Sequence, residues 1–341
     1  PSALHRVSEN KGLIDRRFRV NWFFSESAST HCAKDCFATM ARTRPENWDT
    51  LKTDTTSGIL LAKDVPPAQF AVLVSGGAAN GPLFAGYCGS ALADAVVAGG
   101  AFAAPNAYAL YEAGTYLAGG NRGILLLYNN FAGDYLNNDL AQELLELDQI
   151  PVESVRATDD LASAVGEARS SRNGRCGIAL LIRLAAVCRN MGMGLHETAA
   201  LLRRTNERLN TLSVHLDCTT GTADFGAGFS GEPGLFTRAG LSREELAAQA
   251  MQQLLEDLAP VPGEQLLLLV NRLRLTAYPD GYAMAGAAET WLRRSYPVFR
   301  LCVGAYSNIA DRYGWDFSLL RVPADQIPMW QQPVSGDGFV L

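Results

Sequence analysis

The sequence predicts an α/β protein with two domains, over 1–205 and 206–341, each a mixed or largely parallel sheet flanked by helices. Short apolar runs such as Phe70–Val74 and Ile124–Leu127 break abruptly into glycine, asparagine or aspartate. That is the pattern of buried strands delivering loops at their carboxyl ends. Helical periodicity follows those loops, so strands and helices alternate through the first half. Beyond it the chain changes to strands with two distinct faces, and 341 residues exceed the commonest single-domain size.

Residues before Trp22 are polar and irregular and read as an arm or interface segment. Ser25–Met40 reads as a helix closed by Pro45 and Asn47, and Ile59–Leu61 as a short strand. The strand Phe70–Val74 runs into Ser75-Gly76-Gly77-Ala78-Ala79-Asn80-Gly81-Pro82. Such a small-residue loop lets backbone N–H groups approach a ligand closely, although a plain strand-to-helix turn fits equally well. It lacks the Lys-Ser/Thr ending of a P-loop, so no triphosphate site is expected there. Ala91–Gly100 reads as weakly helical and Asn106–Tyr116 as a helix, with Phe102 in the turn between.

The stretch Gly123–Asp139 then carries a buried strand, the polar loop Asn129–Asp134 and a helix marked by Leu136, Leu140, Leu144 and Leu145. Ligands in open α/β sheets sit outside such strand ends, which makes Asp134 the first candidate for chemistry; the bland alternative is a helix cap. Val152–Ala157 is a strand ending at Thr158-Asp159-Asp160, a pair of acids expected to start the next helix rather than bind a metal. Gly174–Gly177 is a loop before the helix Ile178–Arg189, and Leu195–Leu209 is a second helix.

In the second half, Thr211–Leu216 alternates, with His215 opposite Leu212, Val214 and Leu216. The glycines of Phe225–Glu232 mark a bulge or close backbone approach. Leu241–Leu258 and Tyr282–Ser295 read as helices, and Leu266–Val270, Phe299–Ala305 and Trp315–Val322 as strands.

A formal net charge of -6 argues against binding nucleic acid. Arg183 and Arg189 interrupt the longest apolar stretch, so no membrane span is expected. An odd seven cysteines and an N-terminus without an apolar h-region suit reduced thiols in the cytoplasm. His31, Cys32 and Cys36 lie close together but lack a fourth ligand, so no metal site is expected.

Several of these loops together resemble the substrate-binding subunit of dihydroxyacetone kinases. The loop Ser75–Pro82 with Gly86 and Gly89 is similar to that family's Gly-Gly-Gly-Ser-Gly-His-Glu-Pro loop. Asn130-Phe131-Ala132-Gly133-Asp134-Tyr135-Leu136-Asn137 resembles its Asn-Tyr-Thr-Gly-Asp-x-Leu-Asn/His motif. Asp159-Asp160, Gly174-Arg175, the glycines of 226–234, Leu269-Val270-Asn271, Gly304-Ala305-Tyr306 and Gly314–Leu320 follow in the family's order.

The resemblance implies two α/β domains, a homodimer, and a ketone held covalently by one histidine while a second histidine and an aspartate handle a hydroxyl proton. ATP-Mg or a phosphocarrier would be served by a separate helical partner subunit and not by this chain. This chain departs at the family's polar positions. Asn80 stands at the loop histidine, Asn129 at a lysine and, in the register that fits best, Asn210 at the covalent histidine; Asp134 is retained. An amide nitrogen neither adds to a ketone nor serves as a base near neutral pH.

The expected site is therefore Asp134 as acid or base, with Gly76, Gly77, Asn80, Phe102, Asn129, Asn130 and Asn210 around a small hydroxy-ketone or polyol. Expected functions are a glycerone kinase-like transfer or an isomerase-type carbonyl reaction. The alternatives are a non-catalytic ligand sensor, or polar residues that serve only turns and caps.

Overall fold

The computed structural model describes residues 26–341 apart from 64, 66–67, 90, 120–121, 230–231, 310–311, 337–338 and 341. The arm before Trp22 and the side chains of His31 and Cys32 lie outside the described residues. The helix α1 (Glu26–Thr43) leads into a first sheet of β1 (Trp48–Thr50), β2 (Gly58–Ala62), β3 (Phe70–Gly76), β4 (Ala95–Ala98), β5 (Gly123–Asn129) and β6 (Val152–Ala157). Its order is β1-β2-β4-β3-β5-β6, with β4, β3, β5 and β6 parallel and β1 and β2 antiparallel at one edge.

Every residue of β3 and β5 is buried. Continuous apolar strands of this kind need cover on both faces. The helices α2 (Ala107–Leu117) and α3 (Ala132–Leu147) cover one face, where Leu110, Ala113 and Leu145 pack on Leu73, Ile124 and Leu126. The other face meets α4 (Ile178–Asn190) and α5 (Leu195–Asn206), where Val72, Val74, Leu125 and Leu127 join Leu180, Leu184 and Leu202.

The second sheet contains β7 (Leu209–Asp217), β8 (Thr222–Phe225), β9 (Phe236–Ala239), β10 (Glu264–Arg272), β11 (Val298–Gly304) and β12 (Gly314–Pro323) in the order β11-β10-β12-β7-β8-β9. Only its β10–β11 pairing is parallel. The helix α6 (Arg243–Leu258), opened by a Ser242–Glu245 capping box, and α7 (Tyr278–Leu292) pack on its outer face. On the inner face Leu209, Leu267, Leu269 and Leu320 belong to the same core as α4 and the first sheet.

Residues Ile178 to Arg189 of α4 are all buried, the two arginines included. Arg189 reaches Asp94, and Arg183 donates to the carbonyls of Trp330 and Gln332. The arginines that interrupt the apolar run are thus internal ties rather than surface charge.

Three local expectations are corrected. Within Ala91–Gly100 the chain forms β4 rather than helix, because pairing with β2 and β3 on both sides outweighs the helical preference of its alanines. The helix expected over Leu195–Leu209 ends at Asn206, and Leu209 opens β7. Asp159 and Asp160 start no helix; Asp159 instead accepts from the backbone N–H groups of Arg175 and Gly177 ahead of α4.

Candidate active site between the two sheets

Because β3 to β6 run parallel, their carboxyl ends deliver loops to one edge of the first sheet. Gly76 ends β3, and Gly77 leads into the turn Ala78–Asn80. A side chain at Gly76 would strike the Phe84 ring, 2.1 Å from where its Cβ would lie. A Cβ on Gly77 would sit 3.3 Å from the Ala101 carbonyl, and one on Gly133 would meet Ala104 at 3.0 Å. The turn after β4 is thus wedged between the glycine loop and the start of α3. Asn138 fastens the same corner: its Nδ2 donates to Ser75 Oγ (3.1 Å) and to the Asp134 carbonyl (2.9 Å).

Asp134 occupies the first turn of α3, but it is not the cap; Phe131 holds that position and makes no side-chain capping bond. The Asp134 carboxyl is buried, and among the described residues its Oδ1 has no hydrogen-bond partner. Burial raises its pKa to about 7, because the anion has lost water and gained no countercharge. A carboxylate at that pKa is a far stronger base than a solvated one, and it titrates in the physiological range.

The other expected site residues are placed as follows. Asn129 is buried at the end of β5 with its Oδ1 unbonded among the described residues, so close to Gly174 that a Cβ there would lie 2.3 Å from it. Asn130 is a structural clasp, its Nδ2 donating to the carbonyls of Ser170 (3.1 Å) and Arg172 (2.9 Å). The Asn80 carbonyl accepts from the Asn308 N–H at 3.2 Å, which brings the glycine loop against a loop of the second sheet. Phe102 is 77% exposed.

Asn210 is not brought to this cluster. It lies on the strand face opposite His215, as strand parity predicts, and its amide is engaged by Arg169, Arg172 and Asp257. Asp257 of α6 also takes both guanidinium nitrogens of Arg172, at 2.6 and 2.9 Å. These hydrogen bonds, Arg172 foremost, hold the Asp257 pKa down to about 2. A depressed carboxylate adds stability above its unfolded value and loses it as pH falls through the folded one. Asp257→Asn is therefore expected to melt earlier than the parent at pH 7, and the gap should close as the pH approaches 2. A gap that persisted there would remove this account.

The inner face of the second sheet holds a polar network that sequence reasoning did not assemble. Arg175, just ahead of α4, is fully buried and donates to Asp316 (2.9 Å) and Asp160 (3.2 Å). Asn271 donates to the other Asp316 oxygen (2.7 Å) and accepts from the N–H groups of Tyr306 and Ser307. Burial works against the Arg175 charge, but Asp316 and Asp160 outweigh it and keep the group more basic than usual. His215 shares this face. Burial and then the nearby Arg175 charge lower its pKa to about 4, so its ring is neutral at physiological pH.

The Phe229 ring joins the two halves. It lies 4.7 Å from the Arg175 guanidinium and 6.3 Å from the Phe131 ring. A ring between a cation and another aromatic is a favourable contact on both sides. Gly174-Arg175 and Asn271 were visible as motif residues, but the Arg175–Asp316 pairing spans 141 positions and has no local signal. Among the described residues, no group of three His, Cys, Asp or Glu side chains is placed to hold a metal ion.

Residues 39–337 match the family model described as the Dak1 domain. The chain belongs to the Dak1 family. Its relatives include the dihydroxyacetone-binding subunit DhaK of a PTS-dependent dihydroxyacetone kinase from Listeria innocua, 26% identical over 81% of this chain and 88% of that protein. The corresponding DhaK subunit of the Escherichia coli PEP-dependent kinase is 26% identical over 80% and 87%. D-erythrulose kinase from Mycolicibacterium smegmatis is 27% identical over 83% of this chain but only 51% of that protein. This Dak1 chain thus belongs with the substrate-binding subunits of dihydroxyacetone kinases and spans about half of the longer kinase.

Among solved structures, the dihydroxyacetone kinase of C. freundii in complex with AMP-PNP and Mg2+ superposes with a TM-score of 0.80 at 21% identity, over 90% of this chain and 58% of that one. The dihydroxyacetone kinase operon co-activator DhaQ superposes at 0.79 and 21% identity, over 88% and 96%. A kinase and a co-activator share the Dak1 fold, so the fold alone does not choose a function.

Proposed function

We propose that this Dak1 protein binds a small hydroxy-ketone or related sugar without a covalent bond, between the loop edge of the first sheet and the inner face of the second. Asp134 accepts the proton of a ligand hydroxyl while a separate nucleotide-binding subunit delivers the phosphoryl group. The buried Asp134 carboxyl, unbonded among the described residues and titrating near pH 7, carries this reading. An aspartate that takes the hydroxyl proton is how phosphoryl transfer to alcohols is commonly arranged. The relatives named for dihydroxyacetone and erythrulose supply the ligand class, ketoses of three and four carbons.

Asparagine at positions 80 and 129 favours non-covalent binding, since an amide cannot form a hemiaminal with a ketone. Calorimetric titration with dihydroxyacetone and erythrulose, followed by intact-mass measurement, tests the proposal. Saturable binding with no mass adduct is expected; no binding of either ketose, or an adduct, overturns it. The same asparagines favour a second reading, a ligand sensor without chemistry. Ketose binding without phosphorylation, in the presence of ATP-Mg and a nucleotide-binding partner subunit, selects that reading.

A further inference from the structure

A second groove lies at the outer end of the second sheet, under the segment after β8. It encloses about 680 Å3, and no residue of the glycine loop or of Asn129–Asp134 lines it. Small-molecule pockets span roughly 300–1,000 Å3, so the size suits a compact ligand.

Strand register builds its floor. His215 of β7 pairs with Asp224 of β8, which pairs with Thr237 of β9, and Asp217 pairs with Thr222. Paired residues share a face, so one imidazole, two carboxylates and two hydroxyls point the same way. His215 is 7% exposed and lines the groove, and its side chain has no hydrogen bond among the described residues, the buried Nε2 included. Asp224 likewise has a buried Oδ1 without a partner, and burial raises its pKa. Arg312 also lines the groove, and its charge partly offsets the effect of burial on Asp224.

We propose that this groove is a second ligand site, separate from the Asp134 cleft, built for a small ammonium compound that also carries hydroxyls. Asp217 and Asp224 outnumber Arg312 along the lining, so the local field attracts cations and repels phosphate esters. The ammonium supplies Asp224 with a direct ion-pair partner, whereas the Arg312 charge reaches it only through space. Thr222, Thr237 and the neutral His215 ring donate to and accept from hydroxyls.

The chain has four histidines, so the His215 imidazole signal can be followed by NMR and assigned with a His215→Gln variant. The probes are ethanolamine, Tris and D-glucosamine, with inorganic phosphate as the anionic control. At least one amine is expected to shift the His215 signal saturably, and phosphate is not. Asp224→Asn should weaken that binding tenfold or more, about 1.4 kcal/mol. Thr237→Val, an exposed edge change, should weaken it by a smaller factor. Asp134→Asn should bind the amines like the parent, which separates this site from the ketose cleft. The proposal is overturned if none of the three amines shifts His215, if phosphate does so equally well, or if Asp224→Asn binds unchanged.

Discussion

Asp134→Asn is expected to make the protein more stable at pH 8 while weakening or abolishing its action on a ketose. Burial lifts the carboxyl from 3.8 to about 7, so the fold above pH 7 carries an anion that it does not compensate. At about 1.4 kcal/mol per pKa unit, that strain amounts to at most about 4 kcal/mol. Asparagine keeps the shape but still buries an amide, so a gain of about 1–3 kcal/mol is expected. For a raised carboxyl, stability is fully present below the unfolded pKa and is lost as pH rises through the folded one. The advantage of the variant should therefore be largest above pH 7 and vanish below pH 4. Loss of a positioned base lowers a proton-transfer step by a factor of roughly 10² to 10⁴. Parallel melting curves at pH 4 and 8 with a turnover assay would decide the matter. A variant less stable than the parent at pH 8 would mean the carboxylate is compensated by contacts this account lacks.

The second large effect is expected at Asp316. Its two oxygens are divided between Arg175 and Asn271, and all three side chains are fully buried. In Asp316→Asn, Asp160 alone among the described residues would remain paired with the guanidinium, and burial already pushes that carboxyl up to about 6. Breaking a buried ion pair from one side costs about 3–5 kcal/mol, because the surviving charge stays desolvated. A loss near the lower end is expected in urea unfolding, since the amide preserves packing and one hydrogen bond. A loss below about 1 kcal/mol would show that water or a shift of Arg175 relieves the charge. Asp316→Asn should also disturb ketose binding, because Arg175 sets the position of Phe229 against Phe131.

Much of the fold was legible because the signals are local. Apolar runs with sharp polar ends marked β3 and β5, and helical periodicity marked α3, α4 and α6 within a few residues. The strand Ala95–Ala98 was not legible, since its two valines stand between alanines in a stretch rich in alanine and glycine, and it is pairing on both sides that makes it a strand. The candidate site was legible in part. Asp134 and the two glycines stand in one contiguous motif each, and local sequence places them at strand ends. Strand parity turns Asn210 away from them, and its partner there is Asp257, a residue of α6 whose nearness no spacing in the sequence announces. The Arg175 network was hidden for the same reason, its members being drawn from two loops and two strands far apart in the chain.

The all-buried helix α4 has a consequence for how the molecule comes apart. Val72 and Leu125 of one sheet and Leu267 and Leu320 of the other pack into the same cluster as its Leu180 and Leu184. A helix buried on every side has no face to offer water, so neither half can keep it and release the other. Heating should accordingly give a single calorimetric transition with matching calorimetric and van't Hoff enthalpies, and each half expressed alone should aggregate rather than fold. Two sheets that look like separable modules are, in energetic terms, a single cooperative body with one shared spine.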